Sequence, residues 1–174
     1  MGREIARVVF DEHTIARRVA ELGSEIAGHY DGEDLLVIGV LKGSFIFVAD
    51  LVRTISMPHK VDFLVAASYG TAKVSSGTVR LLYDPETQLG GKHILLVEDI
   101  VDSGNTLNHV FGLMRRRHPK SLEACTLLHK RKAPDLEVEP RFIGFDAPHA
   151  FLVGYGLDHA EDFRHLPYIA TIEE

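Results

Sequence analysis

Apolar residues recur along this chain in two alternating rhythms. Ile15, Val19, Leu22 and Ile26 fall on one face at helical spacing, which predicts an amphipathic helix over 13–28. The run Leu35-Leu36-Val37-Ile38-Gly39-Val40 is almost unbroken, as expected of a strand covered on both faces. Ser44 is placed to cap a second helix, whose buried side would carry Phe45, Val48, Ala49 and Val52. Val61 to Ala67 reads as the next strand. Ser68 to Thr78 holds Gly, Ser and Thr with little to bury and reads as a loop, followed by a short returning strand from Val79 to Leu82. His93 to Val97 is a strand, and Leu107, Val110, Phe111 and Met114 mark a helix that opens near Asn105 and is over by Pro119. Further strands are expected at 122–128, 141–145 and 151–153. Apolar strands alternating with helices predict a single α/β domain over 1–174, with a mainly parallel twisted sheet flanked by helices. Such sheets bind ligands at the carboxyl ends of their strands, near the point where strand order reverses.

The polar residues cluster where that rule puts them. In Leu95-Leu96-Val97-Glu98-Asp99-Ile100-Val101-Asp102-Ser103-Gly104-Asn105-Thr106-Leu107 an apolar strand runs into two acids, then a short loop, then a helix start. A helix start offers unpaired N–H groups and the positive end of the helix dipole, which suits a phosphate. Gly104 permits close backbone approach, and Ser103 and Thr106 add hydroxyl donors. The same residue types also cap helices with no ligand present. The three carboxylates Glu98, Asp99 and Asp102 weigh against simple capping, because clustered like charges are costly without a cation.

Other phosphate-binding patterns are absent. Lys42-Gly43-Ser44 lacks the upstream glycine of a P-loop, and Gly154-Tyr155-Gly156 begins a dinucleotide fingerprint whose third glycine position holds His159.

Composition narrows the partners. The 174 residues carry a formal net charge of −6, which disfavours non-specific binding to nucleic acid or an acidic membrane. The single cysteine, Cys125, rules out an internal disulfide and any CxxC metal site. It sits in an apolar run and reads as a small buried residue. The ten histidines show no His-x-x-x-His or His-Glu-x-x-His spacing. No apolar run is long enough for a membrane span or a signal peptide, so a cytoplasmic location is expected.

The segment 95–107 closely resembles the phosphoribosyl pyrophosphate signature of type I phosphoribosyltransferases. In the 6-oxopurine members, which act on hypoxanthine, guanine or xanthine, the loop opens with an acid, here Asp102. The resemblance extends from about Leu35 to Ile169. It implies that fold, with a flexible lid loop and a small hood, and it implies purine salvage: transfer of phosphoribosyl to N9 of hypoxanthine or guanine. It also implies magnesium as cofactor and a homodimer or homotetramer.

The resemblance assigns roles residue by residue. Asp102 is the implied general base at purine N7; a loop carboxylate that merely caps the helix is the alternative. Ser103, Gly104, Asn105 and Thr106 would hold the donor's 5-phosphate. Glu98 and Asp99 would hold ribose hydroxyls and magnesium, and Asp158 a second magnesium. Leu41, Lys42 and Gly43 resemble the pyrophosphate loop, where an unusual Leu41–Lys42 peptide conformation is implied. Arg164 would pair with pyrophosphate, and a surface salt bridge is its alternative. Lys130 would donate to purine O6, although Lys130-Arg131-Lys132 also reads as a solvated basic run. Phe151 would stack on the base, or else lie in the core; Leu152 would read the purine edge through its backbone. Ser68 and Tyr69 would begin the lid. Two other functions remain open on the same fold: a xanthine-preferring enzyme, and a non-catalytic nucleotide-sensing regulator that binds RNA.

Overall fold

A computed structural model of the chain describes residues 4–68, 79–85, 87–131 and 136–173. Tyr69 and most of the expected lid lie outside these residues, as does Lys132. The chain order is β1 (Ile5–Phe10), α1 (Glu12–His29), β2 (Leu35–Leu41), α2 (Phe45–Thr54), β3 (Lys60–Ser68), β4 (Val79–Tyr83), β5 (His93–Val101), α3 (Asn105–Arg115), β6 (Ser121–His129), β7 (Phe142–Asp146), β8 (Leu152–Val153) and β9 (Ile169–Ile172).

Six strands form one sheet in the order β4-β3-β2-β5-β6-β7. All its pairs are parallel except β3 with β4. The chain moves outward from β2 to β3 and then crosses back to lay β5 on the other side of β2, so strand order reverses between β2 and β5. That reversal opens a crevice at their carboxyl ends. A smaller antiparallel sheet, β1-β9-β8, makes the hood.

Alternate residues of the central strands supply two cores. Leu35, Val37, Leu95 and Val97 pack on the side of α1 and α2, and Leu36, Ile38, Ile94 and Leu96 pack on the side of α3. Both faces are covered, hence the unbroken apolar runs. Helix α1 buries Ile15, Val19, Leu22 and Ile26 as its periodicity predicts, and Asp11 caps it by accepting the Thr14 N–H at 2.7 Å. Cys125 is fully buried. Among the described residues no helix is long and apolar enough to cross a membrane.

Two features differ from the sequence-based expectation. Helix α2 buries Ser44, Phe47, Val48 and Leu51, a face one residue earlier than expected; Phe45 and Ala49 are exposed and Val52 is half-buried. Phe47, Val48 and Leu51 pack into the core cluster, and Ser44 does not cap the helix through its side chain. Its hydroxyl donates to the Val40 carbonyl at 2.6 Å and so turns inward. Strand β5 does not end at Val97 but continues through both acids to Val101, held by parallel pairing with β6 as far as Val101 opposite His129. The N-terminal segment Val8-Val9-Phe10 is part of hood strand β1, and Phe10 stacks on Phe145 at 4.3 Å.

Candidate active site

The crevice between β2 and β5 gathers residues from four parts of the chain. Strand β2 delivers Leu41, Lys42 and Gly43, and the Leu41–Lys42 peptide is cis. Gly43 lies directly against the end of β5: a Cβ there would sit 1.8 Å from Asp99 Oδ2. Glycine at 43 thus leaves the Asp99 carboxylate where it stands.

After β5 the chain makes the loop 102–104 and enters α3. Gly104 has φ +93°, the left-handed region that favours glycine, and a Cβ there would lie 2.8 Å from Leu136 Cα. Helix α3 has no side-chain cap. Ser103 Oγ accepts a 3.3 Å bond from the Asn105 N–H, and the first-turn amides beyond it carry no capping side chain. A cleft of about 230 Å³ opens here, lined by Glu98, Asp99, Asp102, Ser103, Gly104 and Thr106 among others. Its lower wall is acidic and its rim is a helix start, so it can take a group that is both anionic and hydroxylated.

Glu98 and Asp99 stand side by side in β5, and the pleat sends their side chains to opposite faces. Glu98 is 8% exposed, and its Oε2 is buried with no hydrogen-bond partner. Burial pushes its carboxyl up to about 8, and the neighbouring Asp99 adds to the shift. Burial also pushes Asp99 up to about 6, against the opposing pull of backbone N–H groups and Arg164. Adjacent acids that resist ionisation on their own fit a site that receives a cation or sugar hydroxyls. Among the described residues no three metal-ligating side chains converge on one point. A magnesium held here would therefore take one or two carboxylates and complete its shell with water and substrate oxygens.

A second cleft of about 200 Å³ adjoins the first and shares Asp99, Ile100 and Asp102 with it. Its remaining lining is Lys130, Phe151, Leu152, Leu157 and Asp158. Lys130 follows β6 directly, and its backbone N–H donates to the Val101 carbonyl at 2.9 Å. Its side chain is only 13% exposed, and Nζ donates to Asp102 Oδ2 at 2.8 Å. Lys130 is thus separated from the solvated basic run: Arg131 points away to pair with Asp146 at 2.6 Å. Phe151 is 54% exposed and touches His159 edge-on at 5.4 Å. It is an open ring face over the cleft and not a core aromatic. Leu152 is buried in β8.

The hood loop closes the third side. Arg164 Nη2 pairs with Asp158 Oδ1 at 2.8 Å and Glu161 Oε2 at 3.2 Å, and Nη1 donates to the Gly156 carbonyl at 2.7 Å. Arg164 Nε is buried without a partner. Asp158 Oδ2 accepts the Glu161 N–H at 2.8 Å, so both Asp158 oxygens have protein partners. Lys42 reaches across to Glu161 Oε1 at 3.1 Å. The geometry therefore brings together Lys42, Gly43, Asp99, Asp102, Lys130, Phe151, Asp158 and Arg164 around one crevice. Ser68 ends β3. Glu161 is not legible in the sequence: an isolated exposed acid carries no periodic or motif signal, and its partner Lys42 is 119 positions away. The role of the buried Tyr155 is equally hidden, because its partner is 105 positions away. Its hydroxyl donates to Asp50 Oδ2 at 2.6 Å and ties the hood to α2.

The mainly parallel sheet thus places a helix start, an acid pair and two adjoining clefts at one reversal of strand order. The model of the phosphoribosyl transferase domain matches residues 8–160, and the chain belongs to that family. It is 44% identical to hypoxanthine-guanine phosphoribosyltransferase of Dictyostelium discoideum, over 100% of this chain and 97% of that one. It is also 44% identical to hypoxanthine phosphoribosyltransferase of Escherichia coli K12, over 98% and 97%. Among solved structures, a hypoxanthine-guanine phosphoribosyltransferase of Bacillus anthracis superposes with a TM-score of 0.93 at 39% identity, covering 99% of this chain and 100% of that one.

Proposed function

We propose that this protein is a purine-salvage enzyme that transfers phosphoribosyl from phosphoribosyl pyrophosphate to N9 of hypoxanthine or guanine. The products are the nucleoside 5′-monophosphate and pyrophosphate. In this reaction the bond from the anomeric carbon to purine N9 forms as the bond to the pyrophosphate oxygen breaks, and the purine gives up one proton.

The observation that carries the reading is the Asp102–Lys130 pair at 2.8 Å on the boundary of the two clefts. A purine in the second cleft would present its N7 and O6 on one edge. Asp102 would take the N7 proton, and Lys130 would donate to O6. An ammonium donates and cannot accept, so it suits an oxo group and disfavours the amino group of adenine. Phe151 would offer its exposed face for stacking, and the backbone of Leu152 would read the purine edge.

The remaining roles follow the two clefts outward. Ser103, Gly104, Asn105 and Thr106 would bind the 5-phosphate at the start of α3. Leu41, Lys42 and Gly43, with Arg164 opposite, would bind pyrophosphate. Ser68 and Tyr69 would begin the lid that excludes water. Glu98 and Asp99 would hold ribose hydroxyls and, directly or through water, magnesium, with Asp158 near a second ion. Bound with the donor, magnesium supplies charge that offsets the departing pyrophosphate. The family resemblance supports a homodimer or homotetramer as the active form.

The test is a base panel. The protein is incubated with the donor and, separately, hypoxanthine, guanine, xanthine, adenine and uracil, with magnesium or with EDTA. Magnesium-dependent turnover on hypoxanthine or guanine is expected. Turnover on xanthine alone would overturn the base assignment. Silence on all five bases, with the donor still bound, would overturn the reaction and make RNA the next ligand.

A further inference from the structure

Glu161 bridges two cations that pyrophosphate would otherwise occupy. Its Oε1 lies 3.1 Å from Lys42 Nζ and its Oε2 lies 3.2 Å from Arg164 Nη2. These cations come from opposite walls of the crevice, the loop after β2 and the hood. The carboxylate spans them as a phosphate group would, with one oxygen to each. The backbone is arranged to hold it there. Ala160 and Glu161 are both left-handed, at φ +53° and +69°, and the Glu161 N–H is tied to Asp158 Oδ2 at 2.8 Å. Non-glycine residues adopt this region only at a cost, so two in succession mark a turn fixed by its surroundings.

We infer that Glu161 sets the affinity of the enzyme for pyrophosphate, acting as an internal anion that occupies the pyrophosphate cations until the ligand displaces it. The inference rests on the proposed assignment of Lys42 and Arg164 to pyrophosphate. Both Glu161 pairs are exposed at the carboxylate, so each is weak and exchangeable. Pyrophosphate carries more charge and displaces the carboxylate, but at reduced net affinity. A reaction whose leaving group must also dissociate gains from this arrangement. The carboxylate returns to Lys42 and Arg164 as pyrophosphate leaves, while Arg164 keeps its Asp158 partner at 2.8 Å.

The test is direct titration of the full-length protein with inorganic pyrophosphate and magnesium by calorimetry, for wild type, Glu161→Gln and Glu161→Asp. Glutamine keeps the size and loses the charge. The Glu161→Gln variant is expected to bind pyrophosphate roughly threefold to tenfold more tightly, the range that loss of two weak pairs allows. Its KM for the donor should fall in parallel. Aspartate is one methylene short of spanning both cations and should fall between the two. Unchanged or weaker binding in Glu161→Gln, with wild type still binding, would overturn the inference and make Glu161 a residue that positions Lys42 and Arg164. If wild type binds pyrophosphate but neither Lys42→Met nor Arg164→Gln weakens that binding, or if wild type does not bind it at all, the pyrophosphate assignment falls instead.

Discussion

Lys130 donates to Asp102 at 2.8 Å, joining the loop after β6 to the loop after β5. The two residues are 28 positions apart in the chain, and the parallel pairing of Val101 with His129 sets them side by side. The proposed base of the reaction and the proposed reader of the purine oxo group are thus one hydrogen-bonded unit. A purine that bridges them must divide that bond into two, one to each partner. This predicts separable losses. Asp102→Asn keeps the shape but not the proton acceptor, and should lower kcat by about 10²–10⁴ while the donor still binds. Lys130→Met should mainly raise KM for hypoxanthine, by about 10–100-fold, as expected for a lost charged hydrogen bond. Steady-state kinetics on the two variants checks both; near-normal kcat in Asp102→Asn contradicts the role.

Gly43 and Asp99 make the closest approach in the crevice. Gly43→Ala would place a methyl group 1.8 Å from the Asp99 carboxylate, which must turn away from its present position to make room. Donor affinity should fall at least tenfold, while the far-ultraviolet circular dichroism of the fold is retained. Fluorescence titration with the donor measures it.

Glu98 is a buried acid with an unpartnered oxygen and a raised pKa, an arrangement that is costly to the free protein. Glu98→Met should therefore stabilise the free protein by about 1–3 kcal/mol, raising Tm by a few degrees, and abolish donor binding. Thermal melts in EDTA, paired with donor titration, test the trade. A lower Tm would contradict the account of Glu98 as a residue held for function against stability.

Much of this was legible in the sequence, and for a physical reason. The residues of the signature, Glu98 to Thr106, are contiguous, so their chemistry can be read along the chain. The apolar runs of β2 and β5 announce a doubly covered sheet because every position is buried. Helix α1 was read correctly because it has one buried face and one solvated face. Helix α2 was read one residue out of phase. It is apolar nearly all round, with Phe45, Ile46, Phe47 and Val48 in succession, so periodicity alone does not fix its inward face. What fixes it is the packing of Phe47, Val48 and Leu51 into the core beside α1, a tertiary fact. The hood strand β1 is not legible along the chain because its partner β9 lies at the other end. Glu161 was missed because its contact with Lys42 spans 119 positions.

Alkaline stability should be limited by Tyr30. Burial raises its hydroxyl pKa, and its bond to Glu123 Oε2 at 2.7 Å raises it further. The folded pKa lies above the ordinary value of about 10. Below pH ~10 the phenol is neutral in both states, and its contribution to stability is complete. As pH rises past that point the unfolded chain ionises first, and the contribution is progressively lost. Urea midpoints between pH 8 and 11 should fall for wild type and fall less steeply for Tyr30→Phe. Equal slopes would contradict the assignment.

The most direct test of the central claim follows phosphorus. The protein, donor, magnesium and hypoxanthine are monitored by phosphorus NMR, with a matched sample lacking the base. The account predicts that inosine monophosphate and pyrophosphate appear in equal amounts at the expense of the donor, and that neither appears without hypoxanthine. Pyrophosphate released with ribose 5-phosphate in place of nucleotide, at the same rate with or without the base, would show hydrolysis and not transfer, and would contradict it.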